Sequence, residues 1–329
     1  MAFPCWGLTL VPSMQESHTV KISVPGNHLM PGLLGSQDRN LHTIEEHFDG
    51  NSVHARGNEL TIVGPDAERV GSLVGEMVTL LEKGHLLDDA ALKRAIDMIR
   101  DDEKPSEVLS STVLKTGART IRPKSAGQKR YVDAIRNNVI TFGIGPAGTG
   151  KSWLAVAMAV QALTAKDVDR IILTRPAVEA GENLGFLPGD PMAKVDPYLR
   201  PLYDALYDLT DSEGVERMLD RNTVEVAPLA FMRGRTLNKS FIILDEAQNS
   251  TPEQMKMFLT RIGFGSKVVI TGDLTQIDVQ GGRSGLGTLE RILGEIEGIE
   301  FVHLSSRDVV RHRIVQDIVD AYEKHGEQS

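Results

Sequence analysis

Val139-Ile140-Thr141-Phe142-Gly143-Ile144 leads without a break into Gly145-Pro146-Ala147-Gly148-Thr149-Gly150-Lys151-Ser152, and residues 153–163 follow at once. The first six have the near-continuous apolar character of a strand covered on both faces. The stretch from Trp153 to Leu163 is apolar, long enough for a helix, and free of Gly and Pro. Between them stands the spacing G-x-x-x-x-G-K-[ST], which signals phosphate chemistry when it joins a strand to a helix. Glycines there let successive backbone N–H groups turn toward an anion, and the positive end of the helix dipole faces the same point. Lys151 would reach the β and γ phosphates of a nucleoside triphosphate, and the Ser152 hydroxyl would hold Mg²⁺. A merely flexible glycine loop gives no reason for Lys and Ser to stand together at the helix start.

Outward from this loop, strand and helix patterns alternate, which is the signature of an α/β domain with a largely parallel sheet. Strands are predicted at 139–144, 170–174, 223–226, 241–244, 267–271 and 300–304. Phe241-Ile242-Ile243-Leu244 ends in Asp245-Glu246. Alone, a strand ending in two carboxylates is commonplace. Beside a phosphate loop, Asp245 reads as a magnesium-side group, usually acting through water, and Glu246 as the group that orients the attacking water. A further strand ends in Thr271-Gly272-Asp273 and is followed by Gln276, a neutral amide placed to sense the γ-phosphate.

Residues 19–84 have a different character. Val20 to Val24 alternates like a half-buried strand, and residues 33–48 have helical spacing at Leu41, Ile44 and Phe48. Two short strands flank Gly57-Asn58 as a hairpin, and a helix is predicted from Asp66 to about Lys83. This β-α-β-β-α order makes a small α+β module. Residues 85–110 read as a helix followed by a linker at Glu103-Lys104-Pro105-Ser106, with residues 1–18 as a tail and 111–329 as the larger domain. Between Lys115 and Arg136 seven basic residues face only Asp133, a phosphate-binding candidate or a solvated linker.

Composition bounds the class. A chain of 329 residues, 41% hydrophobic and 25% charged, is a globular protein of one large or two modest domains. Cys5 is the single cysteine, so a disulfide framework is excluded and a reducing, cytoplasmic compartment is expected. No run approaches the ~18 to 20 continuous apolar residues of a membrane span. The apolar opening lacks a basic region and is broken by Pro4 and Gly7, so it does not read as a secretory signal. With 36 basic against 45 acidic residues the net charge is -9, which disfavours wholesale electrostatic binding to nucleic acid but leaves room for a local basic surface. His42 and His47 are five apart rather than the four of a zinc helix, and no metal beyond magnesium is expected.

Residues 128–315 resemble the PhoH-like ATPases. The strings that carry the resemblance are the phosphate loop itself, Thr174-Arg175-Pro176-Ala177-Val178-Glu179-Ala180-Gly181-Glu182, Met232-Arg233-Gly234-Arg235-Thr236-Leu237, Leu244-Asp245-Glu246-Ala247-Gln248-Asn249, Gly272-Asp273-Leu274-Thr275-Gln276 and Asp308-Val309-Val310-Arg311-His312. The resemblance implies a phosphate-loop NTPase core of the superfamily 1 helicase kind. It also implies ATP and Mg²⁺ as ligands and RNA-directed ATPase or helicase work on single-stranded RNA. A small metal-dependent endoribonuclease of ribosomal RNA maturation is the implied partner. Gln128 matches a glutamine that reads the adenine edge in related helicases; an exposed helix-start residue is the alternative. The chain has room for one ATPase core, so an arginine reaching the γ-phosphate would come from a neighbouring subunit or from the C-terminal helix. A homo-oligomer, with a hexamer as the implied form, follows. Arg311 leads the candidates, with Arg313, Arg233 and Arg235 beside it and Arg307 weaker. Arg175, Glu179 and Glu182 are open to RNA contact, coupling or a structural ion pair.

The first module resembles a KH-like fold, which clamps nucleic acid with a G-x-x-G loop. Here the matching place reads Gly35-Ser36-Gln37-Asp38, without the second glycine and with an acid that repels phosphate. RNA binding, protein docking and oligomerisation all stay open for it. Besides an RNA-coupled motor, the sequence admits a nucleotide-switched scaffold that recruits a ribonuclease and turns over ATP slowly.

Overall fold

A buried parallel strand has apolar side chains on both faces, and strands of this kind organise the larger part of the chain. The computed structural model describes residues 18–116, 119–176, 191–277 and 284–310, with positions 314, 315, 318 and 321 beyond them. The chain divides into two compact units, Met1–Ser110 and Ser111–Ser329.

In the first unit, strands β1 (His18–Ser23), β2 (Ser52–Arg56) and β3 (Glu59–Gly64) form an antiparallel sheet in the order β1-β3-β2. Helices α1 (Met30–Leu34) and α2 (Arg39–His47) lie between β1 and β2. They are two helices rather than the single spacing read over 33–48. Gly35, Gln37 and Asp38 all have positive φ, and the buried Asn40 side chain donates to Leu33 O at 3.1 Å across the break. Leu41, Ile44 and Phe48 are buried, as their spacing requires. Helix α3 (Ala67–Glu82) closes the core with Val70, Leu73, Val74 and Met77. Helix α4 (Asp89–Arg100) is capped by Asp88, whose side chain accepts from Ala91 N at 2.7 Å. The stretch read as a linker differs from that expectation. Pro105, suited to a first helical turn, opens helix α5 (Pro105–Ser110), and Ser106 N donates to Glu76 Oε2 at 2.7 Å.

The second unit opens with a hairpin of β4 (Leu114–Thr116) and β5 (Arg119–Ile121), then helix α6 (Ala126–Asn137). The core alternates β6 (Ile140–Ile144), α7 (Lys151–Thr164), β7 (Arg170–Arg175), α8 (Pro191–Leu209), α9 (Ser212–Asp220) and β8 (Val224–Pro228). It continues with β9 (Ser240–Leu244), α10 (Pro252–Leu259), β10 (Lys267–Gly272), α11 (Leu289–Leu293) and β11 (Ile299–His303). The six core strands are all parallel, in the order β11-β6-β10-β9-β7-β8. Along β9, Phe241 and Ile243 pack with residues of α6, α7 and α8, whereas Ile242 and Leu244 pack with Met255 and Phe258 of α10. Helices therefore cover both faces, and the fold is that of a phosphate-loop NTPase. Strand β10 separates β6 from β9, so the loop after β6 and the carboxylates after β9 flank the end of β10. Among the described residues no helix is long and apolar enough to cross a membrane.

Arg235, a candidate from its sequence string, is held within the fold. Its Nη1 and Nη2 donate to the two Glu225 oxygens at 2.6 and 2.7 Å. This hydrogen-bonded pairing, only partly opposed by burial, holds the Glu225 carboxyl below its ordinary value of 4.5. Because the folded carboxyl is the stronger acid, the pair's stabilisation is present at neutral pH and is lost as pH falls below the ordinary glutamate range. Both side chains are about a third exposed, so Arg235→Ala should cost about 1 kcal/mol at pH 7. Urea unfolding at pH 7 and pH 3 checks this, since the gap between wild type and variant should shrink at the lower pH.

Candidate functional site

The phosphate loop is shaped by backbone conformation and by its neighbours. Gly148 and Gly150 take φ of 85° and 79°, a region costly for residues with a Cβ, and Gly150 ends the loop where α7 begins. Gly145 N donates to Gly272 O at 3.1 Å, and Val310 N donates to Gly148 O at 3.0 Å, so β10 and the segment after β11 both fix the loop. Lys151 Nζ donates to Gly145 O at 2.7 Å and Pro146 O at 2.8 Å. Burial pulls the Lys151 ammonium below the ordinary lysine value of 10.5, against the opposing pull of Asp273, Glu246 and Asp245. A polyanion favours the charged form. Affinity for a triphosphate should therefore weaken on the alkaline side beginning below 10.5, as titrations of Kd from pH 7 to 10 would show.

Asp245 and Glu246 follow β9 directly. Ser152 Oγ donates to Asp245 Oδ1 at 2.6 Å, and Thr271 Oγ1 of β10 donates to the same oxygen at 2.6 Å. Hydroxyl oxygens from α7 and β10 and a carboxylate oxygen from the tip of β9 thus converge, the hard donor set that magnesium takes together with substrate phosphates. Glu246 lies in the left-handed region, with φ 52° and ψ 42°. Its Oε1 lies 3.1 Å from Nη2 of Arg175, the last residue of β7, and its Oε2 accepts from Gln248 Nε2 at 2.5 Å. Gln248 Oε1 accepts from Asp273 N at 3.0 Å, and Asp273 Oδ2 accepts from Gln276 Nε2 at 3.0 Å. Gly148, Lys151, Ser152, Asp245, Glu246 and Gln276 all line one cleft of about 250 Å³. It presents a cation, three carboxylates counting Asp273, and a loop of glycines, a complement to a metal-bound triphosphate.

A second cavity of about 210 Å³ shares Gly148, Gly150 and Trp153 with the first and adds Arg122, Gln128 and Val310. Gln128 is not an exposed helix-start residue, being only 4% accessible. Its Nε2 donates to Thr149 O at 3.0 Å and its Oε1 accepts from Lys124 N at 2.7 Å, so its amide braces the phosphate loop. Ser125 caps α6 by accepting from Gln128 N, and its Oγ donates to Asp308 Oδ1 at 2.6 Å. Trp153, Thr271, Gln248 and Asp308 were not singled out by sequence for these roles. Thr271 and Asp308 act on residues remote in the chain, so local spacing carries no signal for them, whereas Trp153 and Gln248 stand beside the phosphate loop and Glu246 in sequence and were marked only by that adjacency.

Arg311, Arg313, Glu179 and Glu182 lie outside the described residues. Arg233 is exposed, and Arg235 is engaged by Glu225. The basic stretch forms the hairpin and α6 rather than a linker: Lys129 pairs with Asp133, and Arg136 Nη2 donates to Thr112 O at 2.6 Å.

The family described as PhoH-like protein matches residues 120–323. A PhoH-like protein of Mycobacterium tuberculosis (strain H37Rv) is 54% identical over 311 residues, covering 93% of this chain and 88% of that protein. A PhoH-like protein of Bacillus subtilis is 48% identical over 298 residues, covering 89% and 93%. The protein PhoH of Escherichia coli K12 is 42% identical over 231 residues, covering 69% of this chain and 62% of that protein. Among solved structures, the Sulfolobus solfataricus SWI2/SNF2 ATPase core in complex with dsDNA aligns at a TM-score of 0.36 and 11% identity, over 60% of this chain and 46% of that one. That alignment is too loose to carry an argument.

Proposed function

The chain belongs to the PhoH-like protein family, and from that membership and the geometry of the cleft we propose that it is a magnesium-dependent ATP hydrolase coupled to RNA binding, unwinding or remodelling. The observation that carries the hydrolase reading is the 2.6 Å contact of Ser152 Oγ with Asp245 Oδ1, which joins the phosphate loop to the tip of β9 beside Glu246. In this reading Lys151 leaves its own loop carbonyls to bind the β and γ phosphates. Ser152 and Asp245 would hold magnesium, which supplies charge neutralisation when it is bound. Glu246 accepts a hydrogen bond from the attacking water and aims it in line at the γ-phosphate. Gln276, tethered to Asp273, senses whether the γ-phosphate is present.

The RNA half of the proposal draws its support from the family resemblance. The same resemblance supports single-stranded RNA as the polymer, a small metal-dependent endoribonuclease as a partner, and a homo-oligomer, in the extreme a hexameric ring. In such a ring Arg311 of a neighbouring copy would complete the charge compensation. Phosphate release by the full chain, with and without single-stranded RNA, tests the coupling: RNA should raise kcat, and a rate indifferent to RNA counts against a motor.

A second reading is favoured by one observation. Each Glu246 oxygen already has a partner in the chain, one at Arg175 and one at Gln248, as expected of a slowly hydrolysing switch that recruits a ribonuclease. The RNA experiment separates the two, because a scaffold has no need to accelerate.

A further inference from the structure

Three adjacent strand tips meet at one carboxylate. Arg175 closes β7, Glu246 follows β9, and Gln248 ties Glu246 to the Asp273 backbone just beyond β10. Hydrolysis requires a Glu246 oxygen to accept a hydrogen bond from water, and Oε1 is held 3.1 Å from the Arg175 guanidinium. The left-handed backbone at Glu246 is sparsely populated for a residue with a side chain, and such a conformation persists only where its surroundings hold it. Arg175 is only partly exposed, so its pairing with Glu246 is partly sheltered from solvent screening.

Resting on the reading that Glu246 orients the attacking water, we propose that Arg175 is a positioning residue that clamps Glu246 in a resting orientation and releases it for each hydrolysis. The clamp acts on turnover rather than on nucleotide affinity, because Arg175 holds the water-orienting group and does not line the phosphate cleft. It also explains why an arginine stands where β7 ends: a guanidinium pairs with a carboxylate in a fixed geometry that an ammonium does not reproduce.

The test is steady-state phosphate release by the full chain and by Arg175→Ala and Arg175→Lys, each with and without Glu246→Gln. Arg175→Ala should raise kcat about three- to tenfold, as expected for loss of one partly screened charge-assisted hydrogen bond, with KM for ATP unchanged. Arg175→Lys should fall between it and wild type. In the Glu246→Gln background Arg175→Ala should change kcat by less than about twofold, since the group it acts through is gone. A kcat that stays or falls in Arg175→Ala at unchanged melting temperature overturns the clamp, as does an equal gain in both backgrounds. Should Arg175→Ala lose its fold, a folded Arg175→Lys with wild-type or lower kcat overturns it equally. Turnover that Glu246→Gln slows, without gain from either Arg175 variant, removes the clamp alone. Turnover that Glu246→Gln leaves unchanged, or none in wild type, removes the reading of Glu246 and the clamp with it.

Discussion

Glu246→Gln is expected to keep ATP bound while slowing its hydrolysis by about two decades or more, the usual worth of a positioned general base. The substitution is nearly isosteric, and Gln248 Nε2 can still donate to the remaining carbonyl oxygen. Lys151, Ser152 and Asp245, which face the phosphates in the proposed mechanism, are untouched. The loss should therefore fall on kcat with little change in nucleotide Kd. Single-turnover phosphate release beside an equilibrium titration separates the two quantities, and wild-type turnover in the variant would refute the role given to Glu246.

Lys151→Ala should fail at the earlier step. An ammonium making charge-assisted hydrogen bonds to phosphate contributes about 1.5–3 kcal/mol for each, so the variant should bind ATP at least about tenfold more weakly. Its folding should not suffer in proportion. Burial depresses the Lys151 pKa, which means that its cation destabilises the unliganded folded chain at neutral pH; that penalty would be relieved only as pH rises toward 10.5. Removing the ammonium removes the penalty, although it also leaves Gly145 O and Pro146 O without its hydrogen bonds. A variant that melts close to wild type yet loses ATP is the expected pairing. Unaltered affinity would count against the cradle.

The phosphate loop and the Asp245-Glu246 pair were legible because each is a contiguous string whose neighbours in sequence form the strand and helix it needs. Several of the six core strands were legible from continuous apolar runs, since burial on both faces erases alternation, whereas the outer strands β8 and β11 carry Glu225 and Glu300 within them. Their order was not. Nothing in the string of β10 says that it lies between β6 and β9, yet that placement lets Thr271 reach Asp245 at 2.6 Å. Two stretches differ from their sequence reading, one where a proline stood and one where apolar spacing ran across a glycine. Pro105 begins a helix instead of ending one, and the break at Gly35 divides what spacing alone reads as a continuous helix. Gln128 was picked out for the chemistry of its amide, and the structure shows that amide bracing Thr149 and Lys124. The choice among arginines was not legible either, because an arginine's partner is set by tertiary geometry. Glu225 engages Arg235 from ten residues away in sequence, and Glu246 engages Arg175 from another strand.

The central claim is that the turn between β6 and α7, together with the tip of β9, holds a magnesium-bound triphosphate. Equilibrium titration of the purified full chain with ATP, in the presence of Mg²⁺ and after its chelation, tests this most directly. Saturable binding of one nucleotide per chain, tightened by magnesium and weakened in Lys151→Ala, is the predicted result. Failure to retain ATP with magnesium present, or retention indifferent to Lys151, would contradict it.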